Sequence, residues 1–190
     1  VFALAWLYVA HSDSGFSLKS LKALIDGFQS VEPLRIGELW ALPSVIRFML
    51  VENARRLALR VERARAMRNF ANRVADKIVV ASSPEELQSI LTEYSEPARD
   101  GTFATHLLYR LRSASTATGP AIEWLEAQLE ATGRDVEEII VEEHSRQSTG
   151  GMTMGNIIRS LKTIDDVDWT SWVETVSIMD AILRENSDFE

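Results

Sequence analysis

The chain contains no cysteine among its 190 residues. This absence excludes disulfide cross-links, thiolate metal sites and a cysteine nucleophile. A composition of this kind is compatible with a reducing cytosol.

Long apolar runs are also missing. No stretch reaches the roughly 18 apolar residues that a membrane-spanning helix needs. The opening segment, residues 1–10, is apolar, but no positively charged region precedes it and no small-residue cleavage site follows it. It therefore does not have the pattern of a signal peptide. Because the chain begins without methionine, we expect it to be a segment of a longer polypeptide.

The charge balance is acidic, with 20 Lys and Arg against 28 Asp and Glu, a net charge of −8 and a pI of about 5.0. This balance argues against a nucleic-acid partner, because such binding depends on neutralising phosphates. Positive charge gathers in residues 55–77 and negative charge in residues 123–143. Either both are solvated faces that lie near each other, or one is an electrostatic docking face for another domain.

The longest predicted element of the chain is the stretch of residues 36–80. Its apolar residues recur every three or four positions, which predicts one long helix of roughly 65 Å. Pro43 lies inside the stretch, so we expect either a kink or a short helix that ends at residue 42 and a new one that starts at Pro43. The recurring positions are Leu42, Ile46, Met49, Asn53, Leu57, Val61, Ala64, Met67, Ala71, Val74 and Ile78.

The remaining sequence predicts further helices joined by short connections and no convincing strand. We expect them at about 1–11, 18–31, 84–93, 102–114, 120–131, 135–148, 154–164 and 169–185. The predicted N-caps are Ser17, Ser83 (with Glu86 in a capping box), Asp135 and Asp168, and Gly150-Gly151 is expected to break a helix. The sequence therefore predicts a single all-α domain of eight or nine helices with one long central helix.

The candidate catalytic motifs each have a structural alternative that we favour. Asp166 and Asp168 form the D-x-D pattern that glycosyltransferases use to hold a divalent metal, but they lie between two helices, where Asp168 can serve as an N-cap. His144 stands among the exposed carboxylates of a helix. The glycine-rich residues 150–156 lack the lysine of a phosphate-binding loop. We therefore assign no catalytic, metal-binding or cofactor-binding residue.

Several blocks of the sequence resemble the N-terminal, non-catalytic region of bacterial cyclic β-1,2-glucan synthases, in the same order over essentially the full length. The most specific block is I-G-E-L-W-A-L-P followed by E-N-x-R-R-L, within residues 36–58. The other blocks are residues 9–16, 31–34, 121–129, 142–147, 156–169 and 173–187.

The resemblance implies a very large inner-membrane protein with a processive glycosyltransferase, which uses UDP-glucose and a divalent metal, and a phosphorylase-like domain. The present segment would lie upstream of the transferase, on the cytoplasmic side. The transferase motifs of the family have no counterpart here, so no catalytic residue is carried over. In particular, the resemblance gives no metal-binding role to Asp166 or Asp168.

Three roles for the segment stay open. It could be a scaffold that docks on other domains of the same polypeptide, or that self-associates, through Arg56, Arg60 and Arg63. It could be a carbohydrate-binding module that holds β-1,2-glucan through Trp40 and Trp124, although tryptophans at helical spacing are more often part of a core. It could also anchor to a membrane surface through the basic helix.

Overall fold

A computed structural model describes residues 1–114, 118–131, 133, 135–178 and 182. Within these ranges the chain forms eight α-helices and no strand, so the all-α prediction is confirmed. The helices are α1 (Phe2–His11), α2 (Leu18–Gln29), α3 (Ile36–Val80), α4 (Pro84–Glu93), α5 (Gly101–Ser113), α6 (Gly119–Glu130), α7 (Val136–Asp165) and α8 (Trp169–Val176). A 3₁₀ turn at Pro97–Arg99, which the sequence does not predict, precedes α5.

The chain divides into two compact units. The first comprises residues 1–57 and 150–190, and the second comprises residues 58–149. That the two units form a single domain stays a prediction.

The core of the first unit gathers apolar side chains from α1, α2 and α8 and from the parts of α3 and α7 that belong to this unit. Its fully buried members include Leu21 and Ile25 on α2 and Leu42 and Ile46 on α3. Leu18, at the start of α2, is by contrast exposed.

The core of the second unit is centred on α5. Phe103, Leu107 and Leu111 of this helix are fully buried, at spacings that place them on one side of it. Leu125 of α6 is buried in the same cluster. The ring of Phe70 on α3 packs against Phe103 with centroids 5.3 Å apart.

Helix α3 passes through Pro43 without interruption, so a new helix start at that residue is wrong. A proline inside a helix removes one hydrogen bond and costs about 3 kcal/mol. The helix persists because Pro43 and its neighbours Leu42, Val45 and Ile46 are buried, and tertiary packing of an apolar face contributes more to helix stability than propensity does.

The apolar face of α3 is buried at its two ends but not in its middle. Leu57 and Ala71 are buried, whereas Val61, between them in the predicted series, is 61% exposed. The long helix is confirmed, but its apolar face is not buried at this point. The spacing of the apolar residues cannot reveal this exposure, because the same spacing continues through the part of α3 where Val61 is exposed.

Helix α7 also continues where a break is expected, at Gly150-Gly151. Each glycine costs about 1 kcal/mol relative to alanine in a helix, which a well-packed helix tolerates. Thr153 and Ile157, on the turns that follow, are buried and supply that packing. A phosphate cradle at residues 150–156 is thus unsupported, because these residues lie inside a helix.

The helix ends follow the predicted capping chemistry in most cases. The Ser83 hydroxyl accepts from Glu86 N (3.2 Å), and Asp135 accepts from Glu137 N (3.2 Å). Ser17 stands at the N-cap of α2 as predicted, but its side chain makes no capping bond. Asp100, which was not predicted as a cap, accepts from two backbone N–H groups of α5.

The last predicted helix, at about 169–185, is interrupted at one residue. α8 ends at Val176, because Ser177 adopts an extended backbone with ψ of 117°. Residues 178 and 182 are again helical, and the rest of the predicted helix lies outside the described residues.

Candidate functional site

A tight turn between α1 and α2 is the most unusual piece of backbone in the first unit. Asp13 and Ser14 both have positive φ, 47° and 62°, a conformation that few non-glycine residues adopt. Gly15 follows, and a Cβ at this position would lie 3.0 Å from the carbonyl oxygen of Ser12. The turn therefore favours glycine at residue 15 and is stabilised by bonds from elsewhere at residues 13 and 14.

That support comes from polar side chains of α7. Ser160, which is buried, donates from Oγ to the Ser14 carbonyl (2.7 Å) and accepts from the backbone N of Phe16 (2.8 Å). Thr153 donates to the Asp13 carboxylate (2.7 Å), and Asn156 donates to the Asp13 carbonyl (3.1 Å).

Helix α3 supplies one further bond. Asn53 donates from Nδ2 to the Ser14 hydroxyl over 2.8 Å. Asn53 is the single polar position in the apolar series of α3, and this bond explains it. The polar network as a whole satisfies groups that would otherwise be buried without partners, so its role is to hold the turn.

The E-N-x-R-R block forms a second polar cluster on α3. Glu52 accepts from Arg55 (2.7 Å) and from Arg56 (2.9 Å). The guanidinium of Arg56 lies 4.7 Å from the centroid of the Trp6 ring on α1, in cation–π geometry. Arg56 is therefore engaged within its own unit.

We predict that Glu52 titrates far below an ordinary glutamate. Its hydrogen bonds from Arg55 and then Arg56 lower its pKa from 4.5 to about 2. Because the folded pKa is the lower one, the cluster's contribution to stability is complete above about pH 4.5 and is lost as pH falls through about 2. A carboxyl ¹³C titration of Glu52 should show this midpoint. A midpoint near 4.5 would show that the arginines do not hold the carboxylate in solution.

The first unit also exposes a group of large apolar side chains, here called the aromatic face. Phe2 and Phe48 are 61% and 58% exposed, and their rings meet edge to face at 6.3 Å. Val51 and Trp40 of α3 are 56% and 46% exposed, and lie eleven residues apart, close to three helical turns. Trp6, 41% exposed, completes the set.

The two tryptophans proposed for sugar stacking differ in their surroundings. The indole of Trp40 is open to solvent as part of the aromatic face. Trp124 is half-buried on α6 and packs against the core of the second unit. Trp40 thus offers more surface to a ligand than Trp124 does.

Arg60 and Arg63, the other two residues of the predicted docking face, are exposed on the part of α3 that belongs to the second unit. Neither makes an ion pair within the described part of the chain. In the acidic region, Glu126 pairs with Arg112 (3.4 Å) and Glu142 with Arg146 (2.6 Å).

Asp168, one of the two residues of the D-x-D pattern, is the N-cap of α8. Asp168 accepts from the backbone N of Thr170 and Ser171 and from the Ser171 hydroxyl (2.6 Å), and these bonds lower its pKa. Asp165, beside the pattern, pairs with Arg47 over 2.8 Å. The capping interpretation of Asp168 is confirmed.

The glutamate next to His144 also has a packing role. Glu143 is 5% exposed and accepts from the Thr102 hydroxyl at the start of α5 (3.1 Å) and from Gln147 (3.0 Å). His144 itself is exposed. Among the described residues, no three His, Asp or Glu side chains converge as a metal-binding group.

Sequence reasoning did not single out the polar network around residues 13–16. A signal was present, because Thr153, Asn156 and Ser160 recur at intervals of three and four on α7. Polar residues at helical spacing indicate a face that meets a polar partner. The expected break at Gly150-Gly151 obscured this pattern.

The fold and these clusters describe an all-α segment whose charged and hydroxyl side chains, within the described ranges, mainly hold its own turns and helix ends. No helix in the described part of the chain is long and apolar enough to cross a membrane. No protein-family model matches the chain.

A comparison with curated proteins gives a specific relative. Over 187 residues, 98% of this chain, the sequence is 54% identical to the cyclic β-(1,2)-glucan synthase NdvB of Rhizobium meliloti strain 1021. The chain is therefore homologous to one segment of a cyclic β-(1,2)-glucan synthase, and the resemblance noted from its sequence blocks is confirmed. The chain spans only 7% of the length of that relative.

Proposed function

We propose that this segment is a helical docking domain of a cyclic β-(1,2)-glucan synthase, and that its aromatic face binds another part of the same polypeptide. The observation that carries the proposal is the exposure of Phe2, Trp6, Trp40, Phe48 and Val51 within one unit. Phe2 and Phe48 form a contiguous pair through their ring contact, and exposed contiguous apolar surface is a common mark of protein interaction sites.

The choice of partner follows from the length of the relative. The aligned segment makes up 7% of NdvB, so more than nine-tenths of that protein is available to cover such a face. Aromatic side chains are the usual anchors of protein interfaces, since each buries a large area and loses little rotamer freedom.

In this proposal the aromatic face, and not the group Arg56, Arg60 and Arg63, is the main docking surface. Arg56 is held by Glu52 and Trp6, so a partner would have to compete for it. Arg60 and Arg63 are left as a second, electrostatic contact, which would speed association and fix orientation more than it raises affinity.

For the whole protein we propose the activity that its relative's name states, synthesis of cyclic β-(1,2)-glucan. The UDP-glucose donor, a divalent metal and a location at the cytoplasmic side of the inner membrane belong to this proposal. They would be properties of other parts of the polypeptide, with this segment positioning those parts.

The test uses Trp40→Glu combined with Phe48→Glu, two positions whose side chains are 46% and 58% exposed. We expect the purified chain to bind membranes that contain the synthase lacking this segment, and the double variant to bind at least about tenfold more weakly. Val80→Glu on the same helix, also an exposed apolar residue, is the matched control and should bind normally.

Equal binding by the double variant and the control would contradict docking through the aromatic face. Membranes without the synthase form a second control. Binding to them, if it depends on anionic lipid, would instead support the membrane-surface role of the basic helix.

The electrostatic contact is tested separately by Arg60→Glu combined with Arg63→Glu. We expect slower association and a weaker dependence of binding on salt, with a dissociation rate close to that of the unchanged chain. Unchanged association kinetics would remove these two arginines from the interface.

A further inference from the structure

A groove between α1 and α2 begins beside the turn and contains none of the residues of the aromatic face. It is open to solvent, has a volume of about 400 Å³, and is lined by Leu7, Tyr8, His11, Ser12, Ser20 and Leu24. This volume falls in the range of small-molecule sites.

The lining combines apolar walls with uncharged polar groups. Leu7 and Leu24 supply aliphatic surface, and His11, Ser12 and Ser20 supply imidazole and hydroxyl groups. No carboxylate, ammonium or guanidinium group is among the lining residues. A groove of this chemistry suits a neutral ligand that has both an apolar side and hydroxyl groups, and it provides nothing to balance a charged one.

Part of the polar lining is already committed. The Tyr8 hydroxyl accepts from Ser17 N (2.8 Å) and lies 3.0 Å from both the Ser17 carbonyl and the Ser20 hydroxyl. The Ser12 hydroxyl differs, because it is buried and has no hydrogen-bond partner in the described part of the chain. Such a group costs stability unless something satisfies it. Ser12 is also one of the residues that line the groove.

We infer that this groove binds a neutral sugar, with one glucosyl ring against Leu7 and Leu24 and its hydroxyl groups bonded to His11 and Ser12. The shape and chemistry of the groove indicate a neutral polyol. The choice of glucose rests on the proposed function, since a cyclic glucan synthase handles chains of this sugar.

The test is a titration of the ¹⁵N-labelled chain with sophorose, the β-1,2-linked disaccharide of glucose. We expect saturable amide shifts within residues 7–24, with a dissociation constant on the order of 1 mM, as for an open site that holds one or two sugar rings. Glucose 6-phosphate, which is charged, should produce much smaller shifts. His11→Ala and Ser12→Ala should each weaken sophorose binding by at least about fivefold.

His144→Ala is the matched control, because it removes an exposed histidine of the second unit. Absence of saturable shifts, shifts that persist unchanged in both groove variants, or shifts centred on Trp40 would each overturn the inference. The docking proposal is tested separately, by the effect of substitutions at Trp40 and Phe48 on membrane binding. Failure of one proposal can therefore be distinguished from failure of the other.

Discussion

Replacing Ser160 by alanine is expected to lower the free energy of unfolding by roughly 2–4 kcal/mol. The Ser160 hydroxyl is buried and is bonded both to the Ser14 carbonyl and to the backbone N of Phe16. Alanine removes both bonds and leaves two backbone groups unpaired, at a turn where Asp13 and Ser14 already have positive φ. Urea unfolding followed by tryptophan fluorescence measures the change.

Thr163→Ala is the matched control on the same helix. Thr163 is exposed, and its hydroxyl bonds only to the Arg159 carbonyl one turn earlier (3.0 Å). We expect this variant to stay within about 0.5 kcal/mol of the unchanged chain. Equal stability of the Ser160 and Thr163 variants would show that the polar network does not hold the turn.

The second large effect is expected in the other unit, where Phe103→Ala should cost about 3–5 kcal/mol. Phe103 is fully buried on α5, and its ring packs on Phe70. Alanine at this position loses the transfer free energy of the ring and leaves a cavity that α5 and α6 cannot fill without moving. Amide hydrogen exchange in α5 should accelerate accordingly.

Tyr109→Ala on the same helix is the control for this change. Tyr109 is 68% exposed, so its loss should cost less than about 1 kcal/mol. If Phe103→Ala is no more destabilising than Tyr109→Ala, the core of the second unit is not packed as described.

The fold class and most helix positions could be predicted from the sequence, because apolar periodicity and capping residues act locally. The length of α3 and the Ser83 side-chain cap of α4 are examples. The errors fall where tertiary packing overrides a local rule. Pro43 and Gly150-Gly151 are helix breakers on their own, yet both lie within helices whose neighbouring residues are buried. Val61 is the reverse case, because it follows the apolar spacing of α3 and yet its side chain is 61% exposed.

The candidate sites were less predictable, since they join residues distant in the chain. Arg56 carries the right charge for docking, but its contact with Trp6 depends on how α1 packs, which the sequence does not reveal. Asn53 stood out as polar in an apolar series, and only the structure identifies its partner, the Ser14 hydroxyl. The aromatic face was missed because exposed and buried apolar residues look alike in a periodic pattern.

The most direct test of the account compares the full-length synthase with a form that lacks this segment, in membranes supplied with UDP-glucose. A docking domain predicts that deletion disrupts assembly of the enzyme and the yield of cyclic glucan, and that adding the purified chain restores part of both. The Trp40→Glu, Phe48→Glu form of the chain should fail to restore them. Unchanged assembly and glucan output after the deletion, or transfer of glucose by the isolated chain, would contradict the account.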